Sequence, residues 1–263
     1  MSTNFNALQV EADGPVARIW LNRPDLRNAF DDEVIGELGQ AFAQVGARDD
    51  VRAVVLGARG PAFCAGANLN WMRRAADFTH EQNTQDAARL AAMLQTIHEL
   101  PMPVVARIQG DVYAGGMGLV AACDIAIASD NANFCLSEVR IGLIPATISP
   151  YVIRAMGARA AQRYFLTAER FSAAEAMRIG LVHEVVAADA LDAKLEEIVK
   201  SLCNAGPAAV RACKQLIEDV AGRDIDDALV ARTVKGIADI RASEEGREGV
   251  RSFLEKRKPS WLL

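Results

Sequence analysis

Short apolar runs of strand character alternate with helical stretches across the first half of the chain, and this alternation limits the fold more than any other feature. Residues 16–21 (VARIWL) read as a strand. The next segment has Asp31 as a helix N-cap and apolar residues at Val34, Ile35, Leu38, Phe42 and Val45, which share one helical face. A second strand is expected at 51–56, then a helix at 85–100 with Leu90, Met93, Leu94 and Ile97 on one stripe. Pro103 opens a strand at 104–108, a glycine-rich turn leads into a short helix at 115–122, and a further strand covers 124–128. Strands separated by helices imply an α/β arrangement with crossover connections. From Ala146 onward the pattern is helical apart from a short strand at 182–186, and the chain closes on helices at 188–202, 207–220 and 244–256.

With 263 residues the chain matches one large domain or one domain with an appendage. A hydrophobic share of 51% against 24% charged residues excludes disorder as the main state. The net charge of −5 argues against binding nucleic acid through phosphate contacts. Residues 112–123 form the longest uncharged apolar run, too short for the ~20 residues a bilayer demands, so no membrane partner is expected. No basic stretch followed by an apolar core opens the chain, so no secretory signal is expected. The five cysteines, Cys64, Cys123, Cys135, Cys203 and Cys213, show no C-x-x-C and no regular spacing. That argues against a disulfide framework and a zinc site and for a reducing, cytoplasmic compartment. His80, His98 and His183 lie far apart, with no metal-ligand spacing.

Gly116, Gly118 and Ala121 match the dinucleotide pattern G-x-G-x-x-A, with Glu138 at about the ribose-binding distance. The context is wrong, because the preceding strand is expected to end near Ile108 and the helix has room for only about two turns. No G-x-S-x-G nucleophile elbow occurs, and Cys64 reads better as a small buried thiol than as a nucleophile. What remains is a pair of glycine turns, FCAGANL at 63–69 and AGGMG at 114–118, each following a strand region and entering a helix. The unpaired N–H groups of two such helix starts could hold one carbonyl oxygen as an oxyanion hole. Tight packing alone would also account for the glycines.

LNRP at 21–24 with Asn28 and Ala29, AFCAGA at 62–67, PVVARIQG at 103–110, AGG at 114–116, ACD at 122–124, LSEVRIGLIP at 136–145, EAMRIGLVH at 175–183 and FLEKRKP at 253–259 occur in one order. In these stretches, and over nearly its whole length, the chain resembles the crotonase (enoyl-CoA hydratase/isomerase) superfamily. The resemblance implies a crotonase-like α/β spiral of ββα repeats over residues 1–200 and a C-terminal helical trimerisation region over 201–263. It also implies an acyl-CoA thioester substrate, a homotrimer or homohexamer, and no separate cofactor, since coenzyme A is part of the substrate. The oxyanion donors would be the backbone N–H groups of Ala67 and Gly115. Ala65, Ala67, Asn68 and Leu69 would line the adenine and pantetheine path, with Asn68 where the family often has Asp. Arg27 would approach the CoA phosphates, as would Lys256 on the C-terminal helix, reaching in from a neighbouring subunit.

Hydratases of this family commonly carry two glutamates. One position is matched by Glu138, the other by Gly118. A lone carboxylate suffices for an isomerase, which only moves a proton between C2 and C4. The loop at 137–151 (SEVRIGLIPATISPY) and RYFLTAERF at 163–171 point the other way. They resemble bacterial methylglutaconyl-CoA hydratases of leucine breakdown and the related carboxygeranoyl-type hydratases, which also have Gly at the position of Gly118. One carboxylate can serve a syn addition, taking a proton from water and returning one to C2. Hydratase therefore ranks above isomerase, with a non-catalytic acyl-CoA-binding protein and a dinucleotide oxidoreductase as alternatives of other classes.

Overall fold

The structure, a computed structural model, describes residues 5–262. The first two strands, β1 (Leu8–Asp13) and β2 (Val16–Leu21), pair as an antiparallel hairpin. Helix α1 (Asp32–Gly46) starts where Asp31 accepts a hydrogen bond from Val34 N at 3.1 Å, and it buries Val34, Ile35, Leu38, Phe42 and Val45 on one face. Strand β3 (Ala53–Ala58) begins two residues later than 51–56, because the N–H groups of Arg52 and Ala53 are both taken by Pro15 O. It also runs further, through Gly57, where the Trp20 ring lies so close that a Cβ would meet Cζ3 at 2.3 Å.

Two helices follow, α2 (Leu69–Ala75) and α3 (His80–His98). A capping box of Thr79 and Gln82 starts α3 five residues before the apolar stripe alone suggests. Strand β4 (Val104–Ile108), the two-residue β5 (Val112–Tyr113), α4 (Gly115–Ala122), β6 (Ile125–Ser129) and β7 (Asn133–Cys135) come next. Helix α5 (Ser149–Thr167) is broken at Gly157, where φ is +75°. After it come β8 (Phe171–Ser172), α6 (Ala173–Arg178), β9 (Glu184–Val186) and α7 (Leu191–Asn204). The chain ends on α8 (Pro207–Val220), α9 (Asp227–Ala242) and α10 (Glu244–Leu254).

Among the described residues the main sheet has the order β1-β2-β3-β4-β6-β9, parallel beyond the first hairpin, and β5-β7-β8 form a second sheet. Successive strand residues face opposite ways. Val54, Leu56, Val104 and Ala106 join the large core with α1, α3, α4 and α5, whereas Val55, Val105 and Ile127 pack on Leu191, Leu195 and Val199 of α7. Both faces are covered, so these strands are apolar throughout rather than alternating. This is the mixed α/β fold with a C-terminal helical segment that the sequence implies. No helix among the described residues is long and apolar enough to cross a membrane.

Candidate active site

The LNRP stretch and Asn28 form a clamp. Asn28 is buried in a left-handed conformation (φ +55°) and every polar atom of its amide is used. Its Nδ2 donates to Arg59 O and Ala62 O, both at 2.9 Å, and its Oδ1 accepts from Arg23 N at 2.9 Å. Arg23 in turn pairs with Asp31, the cap of α1, at 2.8 Å. The segment so fixed receives the first glycine turn. Ala65 N donates to Arg27 O at 3.0 Å, Phe30 N to Gly66 O at 2.7 Å and Asn68 N to Phe30 O at 2.6 Å. In a parallel bridge of this register the residue opposite Phe30 turns its own N–H away from the pairing. That residue is Ala67, whose N–H makes no hydrogen bond to a described residue.

The second turn is laced to the first. Cys64 N donates to Asp111 O at 3.1 Å and Tyr113 N to Cys64 O at 2.8 Å. Gly66, at φ +90°, lies so close to the neighbouring turn that a Cβ there would sit 3.2 Å from Ala114 Cβ. Ala114 has φ +47° and ψ −118°, a conformation costing a non-glycine residue about 1–3 kcal/mol. It is held by Ala114 N donating to Cys135 O at 2.9 Å. The strain aims the start of α4, so that Gly115, the first helical residue, has an N–H with no intrahelical acceptor.

Ala67, Ala114 and Gly115 share a cavity of about 210 Å³ with Phe30, Trp71, Leu90, Glu138, Thr147 and Ile148. That is below the ~300–1,000 Å³ of a site enclosing a whole drug-sized ligand, so it suits a small acyl group and not an entire coenzyme. Glu138 opens a short turn (Glu138–Ile141) closed by Gly142 at φ +78°. Its Oε2 is buried without a partner, and burial raises its carboxyl above the usual 4.5. Trp71 Nε1 is likewise buried and unpartnered.

Position 118 is closed. Gly118 is buried in α4, and a Cβ there would meet Ile148 Cγ2 at 2.3 Å and Ile148 Cβ at 2.8 Å. Ile148 is stiff at χ1 and immediately precedes α5, so it cannot step aside cheaply. Gly118→Glu is therefore expected to destabilise the fold by roughly 3–5 kcal/mol, from overpacking and from a buried carboxylate without a partner. Thermal unfolding should show a Tm drop of roughly 10 °C, partly regained in Gly118→Glu/Ile148→Ala. A Tm unchanged in the single variant would contradict this packing.

The same packing disposes of the dinucleotide motif, with one correction. A strand, β5, does lead directly into the glycines, contrary to the expectation that the last strand ends near Ile108. However, α4 is only eight residues long, and Gly116 and Gly118 serve contacts with Cys64 and Ile148. Cys64 is fully buried and its thiol is pushed up to about 12, which suits packing and not nucleophilic attack.

Of the residues expected at the site, Glu138, Ala67 and Gly115 meet in the cavity. Asn68 does not line it. Its side chain caps α2, accepting from Asn70 N at 2.8 Å and Trp71 N at 3.3 Å, a task Asp performs equally well. Ala65 is half-buried beside it, and Leu69 is exposed at the start of α2. Arg27 borders a separate cavity with Gln109, Asp111 and Asn131. Lys256 does not stand on the C-terminal helix: α10 ends at Leu254, and Lys256 lies exposed in the following turn at φ +55°. Trp71, Thr147 and Ile148 are site residues that the sequence reading missed. The last two fall inside the loop it singled out, but nothing in their spacing says which way they face.

A family model described as enoyl-CoA hydratase/isomerase matches residues 11–262. A short-chain-enoyl-CoA hydratase of Clostridium acetobutylicum is 31% identical over 97% of both chains. Among solved structures, an enoyl-CoA hydratase from Shewanella pealeana is similar at a TM-score of 0.95 and 42% identity, covering 98% of this chain and 96% of that one. Pseudomonas aeruginosa AtuE is similar at a TM-score of 0.93 and 37% identity, covering 98% of this chain and 100% of its own.

Proposed function

The chain belongs to the enoyl-CoA hydratase/isomerase family, and from that premise we propose that it is a hydratase adding water across the C2–C3 double bond of a 2-enoyl-CoA. The thioester oxygen sits between the N–H groups of Ala67 and Gly115, which stabilise the enolate. Glu138 takes a proton from water as the oxygen attacks C3, then returns a proton to C2. The observation that carries this reading is the buried, unpartnered Oε2 of Glu138 in an apolar cavity shared with both turns. The resemblance of the 137–151 loop supports a branched substrate such as 3-methylglutaconyl-CoA. Incubation with crotonyl-CoA, 3-methylglutaconyl-CoA and a 3-enoyl-CoA, read by mass spectrometry, tests it: a 2-enoyl-CoA should gain one water. One observation favours an isomerase instead, namely that Ile148 fills the place of a second carboxylate. Turnover of the 3-enoyl-CoA alone, without mass gain, would establish that second reading.

Burial fixes the expected pH dependence. Glu138 must be ionised to accept a proton, and its pKa lies above 4.5. The acid limb of kcat/KM should therefore have its midpoint above 4.5. In Glu138→Gln that limb should vanish from whatever activity remains.

The helices beyond residue 206 support self-association. Val230, Val234 and Ile237 on α9, and Val250, Phe253 and Leu254 on α10, are exposed at helical spacing, with Phe253 81% accessible. A homotrimer or homohexamer would cover them, and could bring Lys256 to a neighbour's coenzyme A phosphates while Arg27 serves its own. The free thiols suit a reducing, cytoplasmic setting.

A further inference from the structure

We propose that the Thr147 hydroxyl holds the attacking water together with Glu138, in place of the carboxylate missing at position 118. The proposal rests on the hydratase reading above. A water that presents a lone pair to C3 points two hydrogens elsewhere, and each needs an acceptor. Glu138 supplies one. The other polar side chains lining the cavity are Thr147 and Trp71. The indole nitrogen only donates, whereas a hydroxyl also accepts. Thr147 is half-buried and its Oγ1 makes no hydrogen bond to any described residue. It also adjoins Ile148, whose side chain excludes any side chain from position 118. Of two consecutive residues that line the cavity, Ile148 thus removes the room for a second carboxylate and Thr147 carries a hydroxyl that can accept.

The step balances as a plain addition. Water oxygen bonds to C3 and one water hydrogen passes to the Glu138 carboxylate. The C2–C3 π pair moves to form the thioester enolate. The protonated Glu138 then delivers hydrogen to C2 and the enolate reverts to thioester. The second water hydrogen, held on Thr147 Oγ1 throughout, stays on the new hydroxyl, so Thr147 is neither consumed nor ionised.

The test compares Thr147→Val and Thr147→Ala, which lack the hydroxyl, with Thr147→Ser, which keeps it. Hydration of the best 2-enoyl-CoA is followed beside the affinity for the corresponding saturated acyl-CoA. Loss of a hydrogen bond made to the reacting water should lower kcat by about 10- to 100-fold in Val and Ala variants. Affinity for the saturated thioester should stay within about twofold, and the Ser variant within about threefold of wild-type kcat, by the same reasoning. If a folded Val or Ala variant hydrates at the wild-type rate, or the Ser variant is as slow as they are, the role of Thr147 is overturned. If the wild type hydrates nothing and only shifts double bonds, the hydratase reading itself has failed, and the role of Thr147 with it.

Discussion

Glu138→Gln should lower kcat by about 10²- to 10⁴-fold, the usual range for losing a general acid–base group. The amide keeps the shape of the carboxyl but cannot carry a proton between water and C2. Affinity for a saturated acyl-CoA should change little, because the cavity walls are apolar and the carboxyl's one hydrogen bond, from its own backbone N–H, is one that an amide oxygen can still accept. Stability supplies the control that separates lost chemistry from lost fold. Burial raises the folded-state pKa of Glu138 above its ordinary 4.5. The stability linked to its protonated form is thus full below 4.5 and is lost as pH rises through the folded value. At neutral pH the neutral amide avoids that loss, so the variant should unfold no earlier than wild type. A dead enzyme with an undiminished Tm is the expected pair of results. Near-native turnover would remove Glu138 from the mechanism.

The second large effect is expected at Gly115. Gly115→Pro deletes the N–H outright, and losing one oxyanion donor costs about 10²- to 10³-fold in rate. Proline suits the first helical position, but it restricts the residue before it, and Ala114 already stands at φ +47° and ψ −118°, so a Tm measurement must accompany the rate. A Cβ at 115 would, however, meet Phe30 Cδ2 at 2.8 Å, so either substitution asks the Phe30 ring to shift. Gly115→Ala imposes the same contact at Phe30 while keeping the donor, so the ratio between the two variants reads the loss of the N–H together with the ring carbon that replaces it. The proline variant should be slower than the alanine variant by at least the ~10² expected of a donor. Equal rates would mean that the Gly115 N–H does not serve the reaction.

Much of this could be read from the sequence, and the physical reason is periodicity. Helix α1 was legible because Asp31 caps it and five apolar residues fall on one face. Strand β4 was legible because Pro103 precedes a continuous apolar run. The strands β5, β7 and β8 were not, since two or three residues are too few for alternation to register. With β5 leading into the glycines, it is the shortness of α4 that excludes a dinucleotide site. The end of α10 was misplaced because FLEKRKP continues the charged helical pattern, while the backbone turns left-handed at Lys256.

The site itself divides the same way. Glu138, Ala67 and Gly115 came from motif resemblance, and the fold brings them to one cavity. Asn68 looked like a departure from a ligand-lining Asp, yet its oxygen is spent on capping α2. Gly118 shows what a sequence alone conceals. A missing glutamate is visible in the letters, but the ring of contacts that forbids restoring it depends on Ile148, thirty residues further on.

The origin of the added atoms tests the one-carboxylate hydration most directly. A hydrated 2-enoyl-CoA is made by the wild-type enzyme in H₂¹⁸O, and again in D₂O, and the product is analysed by mass spectrometry and NMR. The account predicts a 3-hydroxyacyl-CoA carrying one ¹⁸O at C3 in the first case. In the second it predicts one deuterium at C2, on the same face as the new hydroxyl, because a single carboxylate both removes and returns the proton. A product with no incorporated oxygen, or with hydrogen and hydroxyl added to opposite faces, would contradict it.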